Sequence, residues 1–245
     1  MEIVLEGRTR IPILHEDRSV LVLDKPAGWM LAPRHWVNTR RNLLLALDAS
    51  IAAGDHWARS RGLRFLRHVH RLDAETTGAL LFVKHPRAMA AYSRLFESRQ
   101  VEKVYWALVD GQPRETEWMC SLPLAPHPDR EGVMVVNLRS GKVAHTGFRV
   151  LEGRLGGALI EARPVTGRTH QIRVHLLAAR CPIRGDTLYG RGDATGALAL
   201  RAVGLHYRDP FTRQVVNVEA PVEAFLQTHD WATRDSALRA GPRRA

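Results

Sequence analysis

Seven short β-type runs, punctuated by turn residues, do most to limit what this chain can fold into. They are SVLVLDKP (19–26), ALLFVK (79–84), KVYWALV (103–109), GVMVVN (132–137), AHTGFRVLEG (144–153), ALIEARPV (158–165) and RQVVNVEAP (213–221), most of them bounded by turn signals. Helical periodicity is confined to three stretches. Asn38 or Thr39 can cap RRNLLLALDASIAAG, in which Leu44, Leu47 and Ile51 share a face. Pro86 opens RAMAAYSRLFESR in a favoured first-turn position, with Met89, Tyr92 and Phe96 at helical spacing. THQIRVHLLAAR begins after Gly167 and stops before Pro182. Many strands and few covering helices, without one-for-one alternation, predict an α+β fold.

The chain has 245 residues, 45% of them apolar, enough for one large or two small cores. No repeat of fixed period is visible. The segment 110–130 is rich in Pro and polar residues and reads as an inter-lobe connection or a hairpin insertion. The basic stretch 233–245 reads as a flexible tail, leaving 1–232 as a single domain. The strand pattern starts within roughly twenty residues of Met1, which argues against a separate RNA-binding module there. Lys and Arg number 36 against 25 Asp and Glu, a formal charge of +11. That surplus favours an anionic partner, above all nucleic acid, and the predominance of Arg suits bidentate contact with phosphates and bases. Cys120 and Cys181 form neither a CxxC pair nor a framework, and the N-terminus has no apolar signal core. A soluble protein of the reducing cytoplasm is expected, with no membrane partner.

One carboxylate stands out. HRLDAETTG (70–78) places Asp73 at the end of the basic run RSRGLRFLRHVHR and before an apolar strand. Thr76 and Thr77 suit local turn hydrogen bonds, and Gly78 can take positive φ. A carboxylate among arginines stays ionised, which suits a nucleophile or base and not a general acid. The same residues also read as an ordinary ion pair on a loop. Tyr105 lies in EKVYWALVDG, where alternation groups it with Lys103 and Ala107, opposite Val104, Trp106 and Leu108.

TGRTHQIRVHL (166–176) combines a turn at Gly167, a candidate N-cap at Thr169, and Arg168 and Arg173 at the same helix end. Without further information it reads equally as a capped helix with a solvated basic face. DKPAGW (24–29) is a strand ending in a rigid turn, and RGDTLYG (184–190) carries the rival acid Asp186. His170 and His175 are five apart, wrong for a helix-borne metal pair, so no metal site is expected. Neither a Gly-rich nucleotide loop nor a Ser or Cys nucleophile motif is present.

In this order, EDRSVLVLDKPAGW, HRLDAETTGALLFVK, EKVYWALVDG, TGRTHQIRVHL, GDTLYG and LRAVGLHYRDPFT resemble the RluA-type pseudouridine synthase family, over roughly His15 to Pro221. The resemblance implies the pseudouridine synthase fold, a mixed and mostly antiparallel central sheet in two halves, with covering helices and a catalytic cleft. It implies an isomerase that converts specific uridines of tRNA or rRNA to pseudouridine, a monomer using neither cofactor nor metal. Asp73 matches the catalytic aspartate, and Tyr105 the tyrosine that stacks on uracil and serves as C5 base. Arg173 matches the basic partner of the aspartate, and Arg71 the arginine linked to nucleotide flipping. Arg168, His70, Lys103 and Thr169 complete the residues expected to contact RNA. TTG replaces the usual TSG after the catalytic loop, and MLAP replaces the usual VHP after KPAG. The competing reading is a catalytically silent RNA-binding protein on the same fold. A metal-dependent nuclease lacks the clustered carboxylates it needs.

Overall fold

The structure is a computed structural model, described here for residues 1–6, 8–31, 41–190 and 196–231. In chain order its elements are β1 (Glu2–Leu5), β2 (Thr9–Glu16), β3 (Val20–Lys25), α1 (Leu43–Ala52), α2 (His56–Arg59), β4 (Arg67–His68), β5 (Thr77–Val83), α3 (Pro86–Glu97), β6 (Glu102–Asp110), β7 (Glu117–Cys120), β8 (Leu124–Pro126), β9 (Met134–Val136), β10 (Thr146–Arg154), β11 (Gly157–Pro164), α4 (Gln171–Ala178), β12 (Leu200–Arg208), β13 (Val215–Glu219) and α5 (Glu223–Thr228). The expected α+β character, rich in strands and sparing in helices, is what the chain forms. None of the described helices is long and apolar enough to cross a membrane.

The chain divides into two compact units, one of Met1–Val101 with Leu205–Ala220, the other of Glu102–Gly204 with the segment from Pro221 on. β12 contributes to both. In the first unit β1, β2, β3 and β5 pair in that order, all antiparallel, and β4 adds to β5. β3 and β5 are almost wholly buried, because Val20, Val22, Ala79, Leu81 and Val83 face α3 while Leu21, Leu23, Leu80 and Phe82 fill the opposite side. From α3, Ala88, Tyr92 and Leu95 close that core, with Met89 and Phe96 packed at its margin. Each fully buried side chain of this kind stabilises the unit by about 1.5–3 kcal/mol. Pro86 opens α3 as expected. α1 is capped by the Asn42 side chain, which accepts the Leu45 N–H at 3.2 Å. The capping candidates Asn38 and Thr39 lie outside the described residues, as does the tail 233–245.

In the second unit β6, β11, β10 and β7 form an antiparallel series. The Pro-rich stretch ends in the small β8–β9 hairpin, whose Leu124, Val133, Met134 and Val136 pack on Val174 of α4 and on Tyr189. Of the two readings of that stretch, the hairpin is the one the chain adopts.

Candidate active site

In the first unit, Asp73 sits on a turn closed by the Thr76 N–H, which donates to the Asp73 carbonyl at 3.2 Å. A lysine fixes that turn from beneath. Lys25, the last residue of β3, is fully buried, and its Nζ donates to the carbonyls of Pro26 (3.0 Å), Ala74 (2.7 Å) and Thr76 (2.9 Å). An ammonium has three N–H groups, and all three are used. Gly28 N–H adds a second bond to the Ala74 carbonyl at 2.9 Å. Burial pushes the Lys25 pKa down to about 8, against the opposing charges of Glu75 and Asp73. Opposite Lys25 in register, Gly78 takes φ +108, so the loop enters β5 through the conformation only glycine adopts easily. The backbone around Asp73 is thereby held on both sides, and its half-buried carboxylate leads off a fixed turn. Lys25, which fixes the Asp73 turn, is a residue that sequence reasoning left as a plain turn neighbour. The signal was a lysine ending the apolar run VLVLD, but its three acceptors lie one to fifty-one residues away.

The basic run before Asp73 is not one electrostatic device. Arg61 donates from Nε to Glu16 Oε2 at 2.8 Å and from Nη1 to the Trp57 carbonyl at 2.9 Å. Arg67 donates to Asp48 Oδ1 at 2.6 Å, and its guanidinium lies 5.4 Å from the Phe65 ring centre. These two hold the loop to the unit. Arg59, Arg64 and Arg71 are exposed, as an RNA contact requires. His70, expected to contact RNA, is half-buried and held by two contacts within the unit. Its Nε2 accepts the Leu81 N–H at 3.0 Å, so the ring proton is on Nδ1, and its face stacks on Phe96 at 4.6 Å. The ring thus bridges β5 and α3.

In the second unit, Tyr105 faces Ala162 of β11 and is 8% exposed. β6 is buried on both faces from Val104 to Val109, so the expected division into an apolar and a less apolar side does not hold. A central strand buries alternate residues equally, whatever their polarity. Lys103 is half-buried, and its Nζ donates to the Thr166 carbonyl at 3.3 Å. Burial alone pushes its pKa down to about 8.

The helix of TGRTHQIRVHL departs most from expectation. Its N-cap is His170 in the left-handed conformation (φ 54), and not Thr169. Ile172 and Leu176 face the core as expected, but Gln171, Arg173, Val174 and His175 are buried too, so there is no solvated basic face. Arg173 makes a bidentate pair with Asp186, Nε to Oδ2 at 2.8 Å and Nη2 to Oδ1 at 2.7 Å. Asp186 Oδ1 also accepts the N–H groups of Leu188 and Tyr189, each at 3.0 Å. Burial alone raises the Asp186 pKa, but Arg173 and those N–H groups outweigh it and hold the carboxyl below the usual carboxylate range. With both oxygens engaged and 1% exposure, Asp186 is a structural anion and no rival to Asp73.

A directed hydrogen-bond network fixes the turn before α4. His175 Nε2 faces the Leu122 carbonyl at 2.9 Å and so carries the proton, and burial pushes its pKa down, favouring the neutral ring. Thr146 therefore donates to His175 Nδ1 (3.0 Å) while accepting from Gln171 Nε2 (2.8 Å). Gln171 Nε2 also donates to the His145 carbonyl, and Gln171 Oε1 accepts from the Thr166 hydroxyl (2.7 Å) and the Arg168 N–H (3.0 Å). All four hydrogen-bonding positions of Gln171 are filled, which leaves the turn one geometry.

The family model described as RNA pseudouridylate synthase matches residues 19–178. A protein named ribosomal large subunit pseudouridine synthase D, from Nitrosomonas europaea, is 35% identical over 224 residues, 86% of this chain and 62% of its own. One named ribosomal large subunit pseudouridine synthase C, from Yersinia pestis, is 35% identical over 92% of this chain and 70% of its own. The chain thus spans about two thirds of the length of these relatives. The solved human RNA pseudouridylate synthase domain containing 4 superposes with a TM-score of 0.71 at 26% identity, covering 89% of this chain and 91% of the other.

Proposed function

The chain belongs to the RNA pseudouridylate synthase family, and from that premise we propose that it isomerises uridine to pseudouridine in RNA. The observation that carries this reading is the Asp73 turn. A carboxylate whose backbone is held on a fixed turn suits glycosidic chemistry at a single uridine. The reaction breaks the C1′–N1 bond, rotates the uracil and forms C1′–C5, with loss of the C5 proton. Asp73 stabilises or traps the positive charge developing at C1′, or removes the 2′ proton. No second acid is needed, because the base never departs into solvent. Tyr105 stacks on the uracil and takes the C5 proton, and Arg173 supports the negative charge of Asp73. Arg71, with Arg168, Lys103 and Thr169, contacts the RNA and offsets the few kcal/mol that unstacking the target nucleotide costs.

In this reading residues 1–232 act as one catalytic domain, as a monomer without metal or cofactor. The names of the relatives point to ribosomal RNA, and a stem-loop of rRNA or tRNA is the proposed substrate. Two free, buried cysteines suit a cytoplasmic protein. The test is tritium release from [5-³H]uridine-labelled RNA. Release by the parent and none by Asp73→Asn supports the proposal. RNA binding without release by the parent favours a silent binding protein.

A further inference from the structure

Gly167 is a glycine the backbone does not need. It is exposed, and its φ lies outside the left-handed region, which His170 occupies three residues later. A Cβ at Gly167 would meet only one atom within 4 Å, Lys103 Nζ at 3.9 Å. What the missing side chain leaves open is therefore the space beside an ammonium group.

That ammonium differs from the partly buried, ion-paired cations of its unit. Arg149 and Arg163 are paired with Glu161, Arg154 with Glu152 and Arg184 with Asp110. Among the described residues neither Lys103 nor Arg168 has a carboxylate partner. Lys103 spends one N–H on the Thr166 carbonyl, and Arg168 spends Nε on the Val143 carbonyl at 2.9 Å. The two carbonyls orient the side chains without neutralising them. A half-buried cation without a counter-charge is costly, and burial has already moved the Lys103 pKa to about 8. An incoming anion removes that cost. Arg168 is exposed, and its backbone is fixed by Gln171 Oε1, so the turn is formed in advance.

We propose that Lys103 and Arg168, flanking Gly167, form a seat for one phosphodiester of the bound RNA strand. The inference rests on the RNA-directed function above and deepens it by naming a backbone contact that carries no base specificity.

The test uses the full chain and a fluorescently labelled oligouridylate, with affinity measured across a series of KCl concentrations. Lys103→Met and Arg168→Met should each weaken binding roughly tenfold at low salt. Each should also reduce the slope of log K against log salt by about 0.7, the value for one phosphate of a single strand. Gly167→Ala changes neither charge nor backbone strain and should weaken binding in the same direction. Arg114→Met, an exposed arginine elsewhere in the unit, serves as control. Thermal melts establish that each variant is folded. Slopes equal to the parent's in both cation variants overturn the seat. Lost turnover in Lys103→Met with an unchanged slope also overturns it, placing the lysine's effect on Tyr105, two residues along β6. A parent that binds no RNA at any salt concentration overturns the underlying function instead.

Discussion

Arg173 grips Asp186 with two nitrogens inside the second unit, both groups almost wholly buried. Removing one partner takes a close counter-charge from the other. Asp186→Asn should lower stability by about 3–5 kcal/mol, read from denaturant unfolding, because the buried guanidinium keeps its charge while losing this bidentate carboxylate. A change below about 1 kcal/mol would show that water replaces the carboxylate and that the pair is not truly buried.

Asp73→Asn should behave in the opposite way. It should abolish tritium release while leaving the melting temperature unchanged and RNA affinity within about threefold, roughly 0.6 kcal/mol. The turn survives because Lys25 binds backbone carbonyls and not the Asp73 side chain. Residual turnover above a few per cent would return the chemical role to another acid.

Coupling between Asp73 and Arg173 calls for care, since Arg173→Ala destroys the Asp186 pair as well. Arg173→Lys retains the charge but not the fork. Combined with Asp73→Glu, which keeps a carboxylate displaced by one methylene, under conditions where all variants are folded, its loss of activity should not add to that of the single change. Additive losses would mean that Arg173 serves only Asp186.

For Tyr105, substitution by Phe keeps the stacking ring and removes the proton acceptor. Tritium release should fall by about 10² to 10⁴, the usual contribution of a positioned base, while 5-fluorouridine RNA, which has no C5 proton to lose, is still processed. Near-parental release would reduce Tyr105 to a stacking platform. Failure on both substrates would place the hydroxyl before C5 deprotonation.

Lys25 should make activity pH-dependent. Its pKa is about 8 in the folded protein and about 10.4 in the unfolded chain. Between these values the unfolded chain binds more protons, so this group's contribution to stability rises with pH through that window and is lost as pH falls through 8. Activity should move the other way, because a neutral amine has one N–H fewer for the three carbonyls around Asp73. Tritium release should therefore decline above pH 8 while the melting temperature does not fall in step. A flat rate profile to pH 10 would remove Lys25 from the control of the loop.

The strand runs, the α3 start at Pro86 and the ordered motifs were legible in the chain because they depend on neighbours in sequence: alternation, turn chemistry and spacing. β2 and β12 were harder to read, since Pro12 and the Arg, Gly and His of LRAVGLHYR interrupt their apolar patterns. The residue types of the candidate site were visible as HRLD, KVY and GRTHQIR, and the family resemblance supplied their roles. What each side chain touches was not. Three carbonyls converge on Lys25, Arg173 turns inward to Asp186, His70 stacks on Phe96, and His170 takes the cap that Thr169 could have held. These outcomes are settled by groups far apart in the chain competing for the same buried donors and acceptors. Local propensity decides which segments become strands, whereas the partner of a buried charge is decided only when folding removes water and every remaining polar group must find another.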